Sequence, residues 1–360
     1  MINVTKPFLP KIEEYNAYVK GIWERNWLTN NGPLVNELEL KLKEYLNVDH
    51  LLYLSNGTIA IQIAVKALDL TGEIITTPFS YVATTSSIVW EGCEPVFVDI
   101  DRETLNINPA LIEAAITEKT TGILATHVFG NPCDIDAIEA IAKRHNLKVI
   151  YDAAHCFGTL YKGNSVFAYG DVVTSSFHAT KLFHTTEGGA VFTNDPAVLK
   201  KMSYFRNFGH NGPESFASVG INAKNSEFHA AMGLCNLNYI DEILAKRKSI
   251  SETYDTLLFD TSKFGKIKIN SQATFNYSYY PIILNSEEAL LRTIRELNGH
   301  MVFPRRYFYP CLSTLNYVKQ YDTPVSLDIS KRIMCLPSFH DLSNETINMI
   351  SRIVLRTQNY

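Results

Sequence analysis

The chain is organised around one stretch, Ser175-Ser176-Phe177-His178-Ala179-Thr180-Lys181, with Glu187-Gly188-Gly189 close behind it. The β-branched run from Val172 predicts a strand that ends just before Lys181, and the two glycines permit a tight reversal into the next strand. A lysine amine whose pKa is lowered by burial attacks carbonyl carbons and forms Schiff bases with substrates or with pyridoxal phosphate. Because an isolated loop lysine is usually a solvated surface charge, this interpretation depends on the rest of the sequence.

The composition is that of an ordinary globular protein. The 360 residues suit about two domains and leave ample length for a core. The formal net charge is -4 and no basic run occurs, so we expect no nucleic-acid partner. The N-terminus lacks the basic-then-apolar order of a signal peptide, and no run of ~18 apolar residues could span a bilayer. We therefore expect a protein that is neither exported nor embedded in a membrane.

The cysteines are scattered and form no C-x-x-C pair, which argues against both a zinc site and a disulfide framework. They are Cys93, Cys133, Cys156, Cys235, Cys311 and Cys335. No histidine pair has a metal-ligand spacing such as H-E-x-x-H. A reducing cytoplasm and no metal are the expectations.

Strand and helix patterns alternate along the first half of the chain. The first thirty residues resemble an arm, and Leu34, Leu38, Leu42 and Leu46 then recur at the spacing of an amphipathic helix. Strands are predicted at 51–54, 73–77, 96–100, 122–128 and 148–151, with helices at 59–68, 82–91, 109–116 and 134–145 between them. Alternation of this kind predicts an α/β fold with a largely parallel central sheet and helices on both faces.

The regular alternation of predicted strands and helices ends near residue 237. A long polar helix is predicted at 239–258, then a strand at 277–284, a helix at 287–297 and a segment rich in Pro and Tyr. We predict a large domain over residues 1–236, including the N-terminal arm, and a smaller α+β domain over 237–360.

In parallel sheets, ligands bind outside the carboxyl ends of the strands, so the loops that leave the strands should converge. These loops are 55–58, 78–81, 152–155 and 176–181. Asp152 could pair with a protonated pyridine nitrogen, or it could cap the segment that follows. Gly57 and Thr58 open a helix whose N-H groups could bind phosphate, or they could belong to a plain capping loop. Tyr81 could stack on a planar cofactor or lie in the core.

Five motifs follow one another along the chain: Thr29-Asn30-Asn31-Gly32-Pro33, Ser55-Asn56-Gly57-Thr58, Asp152-Ala153-Ala154-His155, the stretch from Ser176 to Gly189, and Gly220-x-Asn222 followed by Glu227-Phe228-x-Ala230-Ala231-x-Gly233. In their order and spacing they resemble the motifs of the DegT/DnrJ/EryC1/StrS family of sugar-nucleotide aminotransferases. The resemblance extends from about Trp27 to Phe339. It implies the aspartate aminotransferase (type I) fold of pyridoxal-phosphate enzymes.

The resemblance also implies roles for individual residues. Lys181 would hold pyridoxal 5'-phosphate as a Schiff base, and Asp152 would pair with its pyridine nitrogen. Tyr81 would stack on the ring, and His155, where the family often has Gln, would hydrogen-bond the phenolic oxygen. Phosphate contacts are expected from Gly57, Thr58, Ser176 and, across a homodimer with shared active sites, Asn222. Substrate contacts are expected from Thr29, Asn30, Arg305 and Tyr309.

The implied reaction moves an amino group from L-glutamate to a nucleotide-linked 4-keto-6-deoxyhexose. We predict dTDP-4-keto-6-deoxy-D-glucose as substrate and dTDP-4-amino-4,6-dideoxy-D-glucose as product, for cell-surface polysaccharide such as O-antigen or another glycoconjugate. Three alternatives stay open: C3 amination of a dTDP-3-keto-6-deoxyhexose, a dehydratase on the same cofactor, and an inactive binding or regulatory protein with this fold. Lys181 favours the transaminase, because a dehydrating branch of the family replaces that lysine with His.

Overall fold

The computed structural model of the chain describes residues 1–259 and 264–358. Its α-helices are α1 (Ile12–Arg25), α2 (Pro33–Leu46), α3 (Gly57–Ala67), α4 (Val82–Trp90), α5 (Ile135–His145), α6 (Pro196–Arg206), α7 (Glu227–Leu237), α8 (Ile240–Leu258), α9 (Glu287–Gly299), α10 (Pro324–Arg332) and α11 (Asn344–Thr357).

The strands alternate with these helices in the first half of the chain and are short in the second. They are β1 (Ile2–Asn3), β2 (Leu51–Leu54), β3 (Glu73–Thr76), β4 (Glu94–Phe97), β5 (Thr120–Thr126), β6 (Lys148–Asp152), β7 (Leu160–Tyr161), β8 (Asn164–Ser165), β9 (Val172–Ser176), β10 (Gly189–Phe192), β11 (His210–Gly212), β12 (Ser215–Phe216), β13 (Ala273–Thr274), β14 (Tyr280–Ile283), β15 (Val302–Phe303) and β16 (Ile333–Leu336).

The largest sheet in the described residues has seven strands in the order β2-β10-β9-β6-β5-β3-β4. Only β10 in this sheet runs antiparallel to its neighbours, β2 and β9. The residues of β6 and β9 are almost all buried, as expected for strands covered by helices on both faces. The predicted α/β architecture with a largely parallel sheet is confirmed.

Local chemistry fixes where the helices begin. The Asn56 side chain accepts a hydrogen bond of 2.9 Å from the Ile59 N-H at the start of α3, and the Asp134 side chain accepts one of 3.1 Å from Ala137 at the start of α5. Such side-chain acceptors satisfy N-H groups that have no partner within the helix. In α2, the four leucines at i+4 spacing are all buried, as predicted.

The first thirty residues, which were predicted to form an arm, are partly helical, and their description as an arm stays a prediction. They contain the helix α1, which packs against α7 and buries Ile22 completely. Ile22 is its only fully buried residue, and Tyr15 and Tyr18, at helical spacing from it, are partly buried against the same core. The first strand, β1, pairs in parallel with β15 near the C-terminal end of the fold.

The C-terminal part has its own apolar core. Strands β14 and β16 pair antiparallel, and buried side chains of α8, α9 and α11 pack on them, among them Tyr254, Leu290 and Ile350. Helix α7 ends at Leu237 and α8 begins at Ile240, so the predicted boundary after residue 236 lies at a helix junction. The division into two domains stays a prediction.

Three predicted elements differ from the structure in type or by more than two residues at an end. The strand predicted at 96–100 is Glu94–Phe97. Residues 109–116 form two short 3-10 turns (Pro109–Leu111 and Glu113–Ala115) rather than an α-helix, because Ile112 is their only fully buried side chain. The strand predicted at 277–284 is confined to Tyr280–Ile283, since Tyr277 has φ 54°, a left-handed conformation that interrupts extended backbone.

Candidate active site

A cavity of about 260 Å³ lies at the carboxyl edge of the central sheet. All four loops that were predicted to converge contribute to it, together with one segment from the C-terminal part. Its lining residues are Asn56, Gly57, Thr58, Ile61, Ser80, Tyr81, Ala83, Thr126, Asp152, Ala154, His155, Ser175, Ser176, His178, Thr180, Lys181, Glu187, Arg305, Tyr307 and Phe308.

Lys181 lies in the loop between β9 and the antiparallel β10, so both ends of this loop are fixed at the same edge of the sheet. Backbone hydrogen bonds close the loop on itself: Phe177 N donates to Gly188 O at 2.7 Å, and Lys181 N donates to His178 O at 2.8 Å. Burial lowers the pKa of the Lys181 amine to about 8; the nearby Asp152 carboxylate opposes the shift and Arg305 adds to it. The amine is therefore far easier to deprotonate than an ordinary lysine.

Asp152 is the last residue of β6 and is buried. Its Oδ2 accepts a hydrogen bond of 2.7 Å from the Thr84 hydroxyl, and its Oδ1 accepts one of 3.2 Å from the Ala154 N-H. Burial raises the pKa of this carboxyl group, while both hydrogen bonds and the Lys181 charge oppose that rise. No helix begins in the described segment that follows, residues 153–159, so the helix-capping alternative for Asp152 is not supported.

The start of α3 provides a cradle for an anion. Gly57 is the first residue of the helix, where N-H groups and the helix dipole favour negative charge. A Cβ on Gly57 would lie 2.8 Å from the Cβ of Ser176, and one on Gly189 would lie 2.4 Å from the Asn56 carbonyl oxygen. Glycine is thus required for the loop after β9 to approach this helix end.

The ring nitrogen Nδ1 of His155 is buried and has no hydrogen-bond partner among the described residues. Its ring lies nearly parallel to those of Phe129 and Phe308, with interplanar angles of 7° and 8°. Burial lowers the pKa of the imidazole well below its usual range, and the Lys181 charge acts in the same direction, so the ring is neutral. Nδ1 makes no hydrogen bond to the described residues, although buried polar atoms are normally paired. A ligand in the cavity could supply the partner.

Three of the predicted substrate-binding residues do not line the cavity. Thr29 and Asn30 are exposed on the turn before α2. The Tyr309 ring lies against the Arg306 guanidinium, 3.5 Å from ring centre to Cζ, and is not part of the cavity lining. Arg305 does line the cavity, with its Cζ at 4.7 Å from the centre of the Tyr307 ring.

Of the predicted cofactor-binding residues, Tyr81 is half-exposed and lines the cavity at the start of α4. Asn222 does not line the cavity. It is exposed and forms an antiparallel bridge with Asn207. The roles assigned to all of these residues stay predictions.

Several lining residues were given no individual role from sequence. Tyr307 and Phe308 lie between Arg305 and Tyr309, from which substrate contacts were predicted, and His178 and Glu187 approach to 3.5 Å between Nε2 and Oε1. Ser80 and Thr126 also line the cavity. The available signal was their position: Ser80 precedes Tyr81 in a predicted site loop, and Thr126 ends a strand beside Asp152.

These residues fit pyridoxal phosphate. The N-terminus of α3 can bind a phosphate, and the Asp152 carboxylate can accept a hydrogen bond from a protonated pyridine nitrogen. The Lys181 amine can attack an aldehyde carbon, and the unpaired His155 Nδ1 can hydrogen-bond a phenolic oxygen. Within the described residues no group of three or more His, Cys, Asp or Glu side chains is arranged to hold a metal ion. In the same parts of the chain, every helix is too short or too polar to cross a membrane.

Comparison with known proteins agrees with this geometry. The family model of the DegT/DnrJ/EryC1/StrS aminotransferase family matches residues 10–355. The chain belongs to this family. The resemblance, the fold class and the prediction of an aminotransferase are all confirmed.

Named members of the DegT/DnrJ/EryC1/StrS family are similar over nearly the whole chain. The dTDP-4-amino-4,6-dideoxy-D-glucose transaminase of Shigella dysenteriae is 42% identical over 355 residues, 97% of each chain. The enzyme of the same name from Escherichia coli is 38% identical over 98% of each chain. The crystal structure of DesI, determined in the presence of its TDP-sugar product, superimposes with a TM-score of 0.94 at 28% identity, covering 99% of this chain and 93% of DesI.

Proposed function

We propose that this aminotransferase uses pyridoxal 5'-phosphate to move the amino group of L-glutamate to C4 of dTDP-4-keto-6-deoxy-D-glucose. The product would be dTDP-4-amino-4,6-dideoxy-D-glucose. The use of this cofactor is inferred from a single observation. One cavity brings together the Lys181 amine, with a pKa of about 8, the buried Asp152 carboxylate and the N-terminus of α3. The choice of sugar and of C4 rests on the likeness to the Shigella and E. coli transaminases.

Each side chain has a distinct task in this proposal. When bound, the cofactor supplies an aldehyde carbon and a ring that accepts electron density from the reacting carbon. Gly57, Thr58 and Ser176 would hold its phosphate, and the negative Asp152 would keep its ring nitrogen protonated. The Nζ atom of Lys181, once free, would take a proton from one carbon and return it to another as a general base and acid. A pKa near neutrality suits both directions.

Arg305 is the cationic group of this cavity that is best placed for a charged substrate. Its guanidinium can fork onto a pyrophosphate, and Tyr307 beside it offers an aromatic face. Thr29, Asn30 and Tyr309 lie outside the cavity of the single chain, so any contact they make with the nucleotide sugar requires the far end of the substrate or a second subunit.

A homodimer is part of the proposal. Asn222 is exposed, and next to it the hairpin region exposes Phe208, Phe216, Val219 and Ile221. Such a cluster of large apolar side chains is typical of an interaction surface. A second copy seated on it would bring Asn222 toward the phosphate site of the neighbouring subunit. We also propose a cytoplasmic location, since all six cysteines are buried and unpaired, as suits a reducing compartment.

The test is direct. Purified enzyme with pyridoxal 5'-phosphate, L-glutamate and the 4-keto sugar should give the 4-amino sugar without an added isomerase, identified by mass and NMR. Product that forms only when a 3,4-ketoisomerase is supplied would establish C3 amination instead. Absence of any covalent cofactor on Lys181 after borohydride reduction would favour a binding or regulatory protein.

A further inference from the structure

A line of buried hydroxyl groups leads to Asp152. Thr126 Oγ1 lies 3.0 Å from Ser80 Oγ, Ser80 Oγ lies 2.8 Å from Thr84 Oγ1, and Thr84 Oγ1 lies 2.7 Å from Asp152 Oδ2. All four residues are buried. They come from the end of β5, the loop after β3, the first turn of α4 and the end of β6.

The direction of every hydrogen bond in this line is fixed by the carboxylate. An ionised carboxylate can only accept, so the single hydroxyl proton of Thr84 must point to Asp152. Ser80 must then donate to Thr84, and Thr126 must donate to Ser80. Aligned donors of this kind polarise one another, which strengthens the last bond in a low-dielectric interior.

We infer that Thr84, aligned by Ser80 and Thr126, is a positioning residue that keeps Asp152 negatively charged and oriented toward the ring nitrogen of the cofactor. This rests on the proposed use of pyridoxal 5'-phosphate. Thr84 itself does not line the cavity, so it acts only through Asp152.

The need for such a donor follows from the surroundings of Asp152. Burial disfavours its charged form. The titratable groups that interact with it are the Lys181 amine, from the loop after β9, and the Cys156 thiol, from the segment after β6. A Lys181 that has lost its charge, whether by deprotonation or by bonding to a carbonyl, no longer stabilises the carboxylate. The Thr84 hydroxyl and the Ala154 N-H are then the groups that still stabilise the negative charge of Asp152 by hydrogen bonds.

Thr85 provides a matched control. It is the next residue of α4 and is completely buried, yet its hydroxyl makes no hydrogen bond to the described residues. Thr84→Val and Thr85→Val therefore remove the same group at the same depth, and only the first removes a bond to Asp152. Thr84→Ser keeps the hydroxyl and serves as the rescue.

The experiment uses the full chain and pyridoxal 5'-phosphate labelled with 15N in the ring. Thr84→Val should move the 15N resonance toward that of an unprotonated ring and raise the dissociation constant of the cofactor about tenfold, the loss expected for a hydrogen bond to a charged group. Ser80→Ala and Thr126→Val should show the same shift in decreasing size. Thr84→Ser and Thr85→Val should match the wild type.

Two outcomes separate the inference from the proposed function. If the wild type takes up the cofactor on Lys181, but Thr84→Val and Ser80→Ala leave the resonance and the affinity as in Thr85→Val, the inference is overturned and the proposed function stands. If the wild type itself forms no borohydride-stable adduct on Lys181, the proposed function fails, and the inference fails with it. Should Thr84→Val not fold, the Ser80→Ala and Thr126→Val series decides.

Discussion

Glu227 and Gly32 are so close that a larger residue at position 32 would displace the Glu227 side chain: a Cβ there would lie 2.5 Å from the Glu227 Cδ. The completely buried Glu227 carboxylate accepts hydrogen bonds of 3.0 Å from the N-H groups of Leu34 and Val35. A carboxylate on α7 thus caps the N-terminus of α2 from a distant part of the chain. Through it, the turn that carries Thr29 and Asn30 is tied to the core.

Replacing Glu227 should destabilise the protein strongly. Glu227→Ala leaves two buried N-H groups and the nearby Arg25 without their acceptor, so we expect a loss of about 1–3 kcal/mol or more in the free energy of unfolding. Urea denaturation measures this. Glu13→Ala, which removes an exposed carboxylate from the first turn of α1, should change stability by less than about 0.5 kcal/mol. Equal effects of the two changes would contradict the capping role.

Capture of the cofactor by the cofactor-free enzyme should depend on pH through Lys181. Only the neutral amine attacks a carbonyl, and a pKa of about 8 leaves roughly a tenth of it neutral at pH 7. Because the fraction of neutral amine rises with pH, the rate of adduct formation should rise through pH 8 and level off above it. Rapid mixing with pyridoxal 5'-phosphate, followed by absorbance, measures the rate. A flat profile between pH 6.5 and 9, or an unchanged rate in Lys181→Ala, would rule this out.

Arg305 and Arg306 are adjacent but should behave differently. Arg305 lines the cavity, whereas Arg306 pairs with Glu287 at 2.7 Å. Arg305→Gln should raise KM for the nucleotide sugar about tenfold or more, because a charge-assisted contact to pyrophosphate is lost. It should also move the midpoint of the pH profile of Lys181 upward, since Arg305 helps to lower that pKa. Arg306→Gln is the matched control, and the prediction fails if both variants change KM alike.

Gly57 should be needed for cofactor binding because of its contact with Ser176. Gly57→Ala places a Cβ 2.8 Å from the Ser176 Cβ, which pushes apart the two elements of the phosphate cradle. We expect the dissociation constant of pyridoxal 5'-phosphate to rise about tenfold or more, as for other displaced polar contacts. Fluorescence titration gives this value.

A double-mutant cycle isolates the cause. In a Ser176→Gly background the obstructing Cβ is gone, so adding Gly57→Ala should cost much less than it does in the wild type. Additive effects would mean that the steric contact is not what requires glycine at this position.

Mixed subunits test the proposed dimer. Lys181→Ala and Asn222→Ala chains should each be nearly inactive, and mixing equal amounts should restore about a quarter of the wild-type sites, since half of the dimers then hold one intact site. Native mass spectrometry of the mixture measures the fraction of mixed dimers, and an activity assay measures the restored sites. If the subunits exchange and activity does not return, Asn222 does not act across an interface.

The parts of the site that sequence reasoning found are those fixed by strand order. Asp152 ends one strand of the sheet, and Gly57 and Lys181 each follow another by a few residues, so knowing the strands was enough to bring them together. Thr84 could not be found in this way. Its role depends on the placement of α4, which brings the Thr84 hydroxyl to Asp152 at the end of β6. From sequence, Thr84 cannot be told apart from the neighbouring buried Thr85.

Of the two C-terminal residues predicted to bind substrate, only Arg305 lines the cavity. Arg305 and Tyr309 were predicted together from one segment rich in Arg and Tyr, yet the backbone turns between them, so that Arg305 faces the cavity and Tyr309 packs on Arg306. In helices and strands the direction of a side chain follows a regular period, but in an irregular segment it cannot be predicted in this way. The helix α1 was not predicted, although Tyr15, Tyr18 and Ile22 recur along it at helical spacing.

The order in which the cavity is built along the chain has a consequence for synthesis. Every lining residue from Asn56 to Glu187 precedes the end of β10, whereas Arg305, Tyr307 and Phe308 come after α9. A ribosome therefore releases the groups proposed to hold the cofactor well before those that face the substrate. Since N-terminal parts fold first during translation, a nascent chain could acquire its cofactor cradle before the other side of the cavity exists.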